Sequence, residues 1–513
     1  MKISMTGVSG NMGAEVLMQT MELPEVEFVR VLLTPKKKND KLAKKLIKVY
    51  GNRVQILRGW VEDIETCKAL VKDVDYVVHM AAVIPPASDA DPQASYRCNY
   101  LGAIAMTDAV KAQSPQPKYI HISTVALYGN RNEKHPFGRV GDPLLVSPFD
   151  CYAIHKLHGE RYMLEAELDC WVVLRQSAML HNKMMKANIS DGLMFHTAMN
   201  APLEWVSARD SGYLLKRIFE RDNRGEVPGF WNKIYNIAAG KRGRETGYDT
   251  FNDGFEMIGG STEKFFKPNW FAARNFHGVW YADSDELEEL FNYQRDGAHS
   301  FWQEIARHHK IFSMGRIVPR KLLHLFLFRK LLNHPNSPYR WVKDNDEARV
   351  TATFGSQKIA DGRSSEWKDY KLLAKGDFGD YDELRETKNA VLLDHGYDES
   401  KPQEEWNIDD MRAAAKFRGG EVVSENMSGA YSKISWRCQN GHEFLSSPYT
   451  VLRGGHWCPE CCKLGQWDFD RLSKRNPFFA QVWYDSHSGN ENKHYGVDKD
   501  GNDVMTEFAE DEQ

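Results

Sequence analysis

Two groups of residues in this 513-residue chain have types and spacings that could do chemistry. The first is Cys151-Tyr152-Ala153-Ile154-His155-Lys156, in which a phenol and an ammonium stand four residues apart. On a helix that spacing puts both on one face. An ammonium beside a phenol favours the phenolate and lowers the phenol's pKa. A tyrosine tuned in this way gives or takes a proton at a carbinol or carbonyl oxygen. The second group is Cys438, His442, Cys458 and Cys461, a Cys-x3-His pair and a Cys-x2-Cys knuckle separated by fifteen residues. Three thiolates and one imidazole complete the tetrahedral shell of Zn2+ with no open position, which points to a structural ion. Cys462 is the spare thiol. Tyr-x-x-x-Lys also arises by chance, so its meaning rests on the elements that precede it.

Those elements begin at the N-terminus. A short apolar strand at residues 2–5 leads into Thr6-Gly7-Val8-Ser9-Gly10-Asn11-Met12-Gly13 and then a helical run to Met21. The glycines allow a tight turn and close backbone approach, and the helix start offers free N–H groups to a pyrophosphate. Gly7, Gly10, Asn11, Met12 and Gly13 are therefore candidates for holding a dinucleotide. The next strand, Phe28 to Leu33, ends in Thr34-Pro35-Lys36-Lys37-Lys38 with no acid for the adenosine ribose. Positive charge beginning at Lys36 suits a 2′-phosphate, so NADP is favoured over NAD; a solvated basic loop is the alternative. Residues 54–57 read as a third strand and 75–82 as a fourth, whose last residues Ala81 and Ala82 leave room for a cofactor. His79 reads as a packing residue. A helical run from Asn99 to Lys111 precedes a fifth strand, Lys118 to Thr124, which ends in two hydroxyls. This alternation predicts an α/β fold with a doubly wound parallel sheet, with ligands at the carboxyl ends of the strands.

The ordered set Thr6 to Gly13, His79 to Ala82, Asn99, Ser123 to Gly129, Tyr152 with Lys156, Leu174-Arg175, Glu204 to Asp210 and Tyr235 to Ile237 resembles the extended short-chain dehydrogenase/reductase family, the NAD-dependent epimerase/dehydratase group. The resemblance covers about residues 1–310. It implies that Tyr152 is the acid/base and that Lys156 holds the nicotinamide ribose. Thr124 then orients the substrate oxygen, with Ser123 as the alternative, and Asn99 matches a helix asparagine near the site. Members of the group commonly dimerise, so a homodimer is one expectation. Two departures stand out. Gly59-Trp60 replaces the group's Gly-Asp, so Trp60 becomes the candidate for stacking on adenine. Val125 and Ala126 follow Thr124 where sugar-nucleotide dehydratases carry an acidic pair, which argues against water elimination by that route.

The substrate half, mainly 175–310, is rich in Met and aromatics: Met179, Met184, Met185, Met194, Phe195, Met199 and Trp205. Such side chains form adaptable apolar walls. The expectation is an NAD(P)-dependent oxidoreductase that interconverts a ketone and a secondary alcohol on an apolar, steroid- or polyketide-like substrate. The charged loop Arg242 to Glu245 would instead greet a phosphorylated substrate. The alternatives are a nucleotide-sugar epimerase of the same group, or a dinucleotide-binding regulator that signals through the zinc module.

Residues 311–400 read as an apolar, basic-edged helical segment and a connector; the stretch 317–332 is too short to span a bilayer but could touch a membrane surface or pack on its own domain. Residues 401–465 resemble a small treble-clef or zinc-ribbon module, and 466–513 form an extension with an acidic tail. With 27% charged and 42% hydrophobic residues the composition is that of a soluble globular protein. A net charge of −4 argues against a nucleic-acid partner. The start of the chain runs straight into the glycine motif, so the expected compartment is the reducing cytoplasm.

Overall fold

The computed structural model describes residues 1–182, 184, 191–257, 259–308, 322 and 328–508. Its centre is a sheet of seven parallel strands. In chain order these are β1 (Lys2–Met5), β2 (Phe28–Leu33), β3 (Val54–Arg58), β4 (Tyr76–His79), β5 (Lys118–Thr124), β6 (Trp171–Gln176) and β7 (Lys233–Ile237). Their order across the sheet is β7-β6-β5-β4-β1-β2-β3. Apolar, β-branched runs such as Ile3, Val29, Val31, Val77, Val78, Ile120, Val172 and Val173 are fully buried. That is the pattern of strands covered on both faces. The strand order reverses between β1 and β4, and ligands bind at the carboxyl side of such a switch point.

The covering helices are α1 (Asn11–Thr20), α2 (Lys37–Tyr50), α3 (Ile64–Val71), α4 (Gly102–Lys111), α5 (Cys151–Leu164) and α6 (Ala208–Asn223). Short polar side chains start several of them: Asp63 accepts from Glu65 N, Asp150 from Ala153 N and Ser207 from Asp210 N. These caps satisfy amides that the helix itself leaves open. A π-helical turn at Tyr96–Leu101 runs into α4 and presents Asn99.

The last third folds onto this frame. A three-stranded antiparallel sheet is made of β8 (Glu421–Val422), β9 (Ile434–Arg437) and β10 (Glu443–Ser446). It is followed by the short helix α7 (Pro448–Leu452) and a second small sheet of β11 (Gln466–Trp467), β12 (Lys493–Val497) and β13 (Asp503–Glu507). One hydrophobic cluster joins Val125, Leu127, Ile154 and Leu157 to Trp436, Trp457, Phe469 and Tyr495. The C-terminal part therefore shares a core with the helix that carries Tyr152 and Lys156.

Of the 317–332 stretch, residues 317–321 and 323–327 lie outside the described residues. At its end Phe328, Leu331 and Leu332 pack against Phe265, Phe266 and Trp270 of the same chain. Among the described residues no helix is long and apolar enough to cross a membrane.

Candidate active site

The turn after β1 and the end of β4 are locked backbone to backbone. Gly7 has φ +75°, and a Cβ there would lie 2.7 Å from the Met80 carbonyl. Only glycine fits that conformation and that approach. Thr6 Oγ1 accepts from the N–H groups of Met80 and Ala81, each at 3.0 Å. Gly10 starts α1 without a side-chain cap, so the first helix N–H groups stay open for an anion. Gly7, Gly10, Asn11, Met12 and Gly13 thus face the strand end that carries Ala81 and Ala82. Further along the same edge, Lys36 Nζ sits 5.5 Å above the ring of Trp60, which is 43% exposed. The structure brings these two candidates for the adenosine end together.

The catalytic candidates meet at the carboxyl end of β5. Asp150 caps α5, and one turn further in Tyr152 and Lys156 occupy one face of it. The Thr124 hydroxyl lies near enough to the Tyr152 phenol to favour its phenolate. Burial pushes that phenol up to about 12, and Thr124 only partly offsets the shift. Lys156 Nζ donates to the Ile122 carbonyl at 2.6 Å, and burial lowers it to about 8 although Glu160 pulls it upward. With the ammonium turned to a carbonyl, burial decides the phenol's state.

Asn99 and Ser123 bond to groups other than Tyr152. Asn99 Oδ1 accepts from Val83 N at 2.8 Å while its Nδ2 donates to Val83 O at 2.8 Å and to Ser95 Oγ at 2.9 Å. Its amide is used up in pinning the loop after β4. Ser123 points away from Tyr152 and donates to Glu160.

Glu160 was not legible as a site residue, yet it ties the site together. It stands one turn beyond Lys156 on α5 and is fully buried. Ser123 and Arg175 are register partners on β5 and β6, so both project on the same side of the sheet. Arg175 Nη2 donates to Glu160 Oε1 at 2.6 Å, and His456 Nε2 lies 3.1 Å from the same oxygen. Burial alone would raise the Glu160 carboxyl, but Arg175 and His456 overcome it and hold the group well below the usual carboxylate range. Arg175 also donates to Tyr128 Oη at 2.8 Å and to the Gly454 carbonyl at 2.6 Å.

A second C-terminal contact lies just before α5. Phe149 has φ +65°, a strained value for a bulky residue. Its ring is held edge-on by Trp467 at 5.7 Å and Tyr495 at 5.6 Å.

The donor atoms of Cys438, His442, Cys458 and Cys461 lie within 4.8 Å of one another. Cys438 Sγ and Cys461 Sγ are 3.7 Å apart, and His442 Nδ1 is 3.6 Å from Cys458 Sγ and 3.5 Å from Cys461 Sγ. A tetrahedron with metal–sulfur bonds of about 2.3 Å and metal–nitrogen bonds of about 2.0 Å has edges of about 3.5 to 3.8 Å. The four donors are therefore spaced to hold one tetrahedral ion. Asn440 Nδ2 donates to Cys461 Sγ at 3.3 Å, a bond that favours the thiolate. Cys462 is not in the cluster.

An open cleft of about 160 Å3 lies at the start of α5, lined by Asp150, Cys151, Arg274, His277, Arg349 and Asp503 among others. Its wall is mixed, with Pro92, Phe149, Leu193, Phe276 and Trp341 beside the charged groups, and part of it comes from the C-terminal third. Arg274 is paired with Glu491 at 2.7 Å and Arg349 with Asp503 at 2.8 Å. The expected apolar wall is not there. Met184 and Trp205 belong to one interior cluster, Phe195, Met199 and Met194 to another, and Met179 packs against the main sheet core. Their spacing reflects packing between elements. Met185 lies outside the described residues. In the Arg242 to Glu245 loop, Arg244 is buried against Glu204 at 3.0 Å, whereas Arg242 is exposed and donates to Gln294 O.

Residues 3–177 match the model of the NAD dependent epimerase/dehydratase family. Among solved structures the chain is similar to dTDP-glucose 4,6-dehydratase from Bacillus anthracis in complex with NAD, at 16% identity over 61% of this chain and 97% of that one, with a TM-score of 0.48. It is also similar to UDP-glucuronic acid 4-epimerase from Bacillus cereus in complex with UDP-glucuronic acid and NAD, at 19% identity over 61% of this chain and 99% of that one, with a TM-score of 0.47. A third is the UDP-Glc/GlcNAc 4-epimerase from Campylobacter jejuni, at 16% identity over 60% and 99% of the two chains, with a TM-score of 0.47. The matched residues 3–177 hold the glycine turn, six of the seven parallel strands and the Tyr152/Lys156 helix, so this part of the chain is similar to the NAD dependent epimerase/dehydratase family.

Proposed function

We propose that the chain is an NAD(P)-dependent enzyme that moves hydride at a carbinol carbon of a hydroxyl-rich, sugar-type substrate, in the manner of a nucleotide-sugar epimerase. The observation that carries this reading is the meeting of Thr124, Tyr152 and Lys156 at the end of β5, beside the glycine turn. The match of residues 3–177 to the NAD dependent epimerase/dehydratase family supports it over an apolar ketone reductase.

A bound nicotinamide supplies the hydride acceptor and donor. The chain's own residues supply the rest. Thr124 orients the substrate oxygen. Tyr152 takes the proton from the substrate alcohol, a step that needs the phenolate form that burial disfavours, and returns the same proton to the carbonyl oxygen so formed. Lys156 holds the ribose of the dinucleotide. Val125 and Ala126 are buried in the turn after Thr124 and offer no acid for removing water, so epimerisation is favoured over dehydration. Lys36, with Lys37 and Lys38 following it, supports a 2′-phosphate, so NADP and NAD both belong in the assay. Cys438, His442, Cys458 and Cys461 hold a structural Zn2+.

The test is to incubate the chain with either dinucleotide and a panel of nucleotide sugars and apolar ketones. Reduced nicotinamide is followed by absorbance and products by chromatography. The expected result is interconversion of sugar isomers with no net consumption of dinucleotide. Net reduction of an apolar ketone, with no action on any sugar, would overturn the reading.

A further inference from the structure

We infer that His456 is a positioning residue for the site at Thr124, Tyr152 and Lys156, acting through Glu160, and that the metal-binding module presents it there; this rests on the reading of that site as the reaction centre. The two halves of the site come from different elements. Thr124 ends β5, whereas Tyr152 and Lys156 lie on α5. Glu160 joins them, because it belongs to α5 and accepts from Ser123, the neighbour of Thr124.

A buried carboxylate keeps one geometry only while its lone pairs are filled. Glu160 Oε2 is served by Ser123 Oγ and by Arg175 Nε at 3.3 Å; Oε1 is served by Arg175 Nη2 at 2.6 Å and His456 Nε2 at 3.1 Å. His456 is the only one of these partners that lies outside the N-terminal domain. It is 3% exposed and does not line the cleft beside Cys151, so it does not meet the substrate.

The segment that carries His456 is fixed on both sides. Gly454 accepts from Arg175 at 2.6 Å, and the Trp457 carbonyl accepts from Arg161 of α5. Gly455 has φ +74°, and a Cβ there would lie 2.1 Å from the Asp142 carbonyl, so the loop is pressed onto the N-terminal domain at a point where no other residue fits. Immediately after it come Cys458 and Cys461, within the four-donor cluster. Contacts at four consecutive residues, 454 to 457, thus dock the metal module against the N-terminal domain.

The test compares wild type with His456→Ala, His456→Asn and His456→Gln as full-length, metal-loaded protein. Glutamine places an amide N–H about where Nε2 stands; asparagine keeps the polarity but falls short. Dinucleotide affinity is read from reduced-nicotinamide fluorescence, alongside kcat, KM and metal content. The expected result is an affinity loss of about tenfold in the alanine and asparagine variants, with kcat lowered and KM for the substrate little changed, and recovery to within about threefold in the glutamine variant. Metal content stays at about one equivalent throughout. Equal affinity in all four proteins overturns the inference. So does a glutamine variant as weak as asparagine, or an asparagine variant that has lost its metal. If the alanine variant does not fold, the asparagine and glutamine pair decides. Wild type that binds dinucleotide but converts no substrate rejects the proposed reaction and leaves the affinity comparison to judge His456.

Discussion

Around Tyr152 the polar groups are only partly used, whereas around Cys461 they are filled from every side. Lys156 spends a single bond on Ile122 among the described residues, and the Tyr152 phenol lies near Thr124. The four sulfur and nitrogen donors of the C-terminal cluster instead converge within 4.8 Å, with Asn440 bonding to Cys461 from outside. Unused valence at a strand end beside an open cleft is where a ligand and a substrate can act. Closed valence inside a small fold holds geometry. The Glu160–Arg175–His456 network lies between the two and belongs to the second kind, although it adjoins the first.

The largest effect that would break this comparison is removal of a cluster donor. Cys458→Ser should lose about one equivalent of metal by elemental analysis. Structural zinc is worth about 10 to 16 kcal/mol in small modules. Because Cys458 shares a hydrophobic core with α5, the unfolding transition of the N-terminal part should move with it. A thermal melt in which that part is unaffected would separate the two regions.

Next comes the network. Glu160→Ala leaves the Arg175 guanidinium buried without its carboxylate, and breaking such a pair costs about 3 to 5 kcal/mol. Urea unfolding reads that loss directly, and a change below about 1 kcal/mol would show the pair to be idle.

The smallest effect is a pH response. Burial holds Lys156 at about 8, below the usual lysine range, so its ammonium is lost as the pH rises through that value. Dinucleotide affinity should therefore fall a few-fold above about pH 8 and stay level below it. Lys156→Arg, which keeps its charge, should flatten the curve. A flat wild-type profile to pH 10 would mean that the ammonium does not hold the ligand.

Much of the frame could be read locally. The apolar strands, the glycine turn at 7–13 and the i, i+4 pair on α5 all depend on neighbours in sequence, as do the two halves of the metal cluster. What escaped reading depends on partners far apart. Glu160 and His456 are separated by 296 positions, and no local pattern announces their contact. Glu160 did leave a faint trace, one turn past Lys156 on the same face. The Met and aromatic run from 179 to 205 misled because apolar composition marks burial without saying whether a cavity or another element does the burying. Spacing puts Tyr152 and Lys156 on one face, but burial, which no spacing reveals, shifts the charge state of each.

The central claim is that Tyr152 moves the proton at a site that the C-terminal part holds in shape. Tyr152→Phe tests it most directly, with turnover and dinucleotide binding measured on the same preparation. Removal of a general acid/base costs about 10²- to 10⁴-fold in rate, so turnover should collapse by that order while dinucleotide binding and metal content match wild type. Turnover within about twofold of wild type would contradict the assignment.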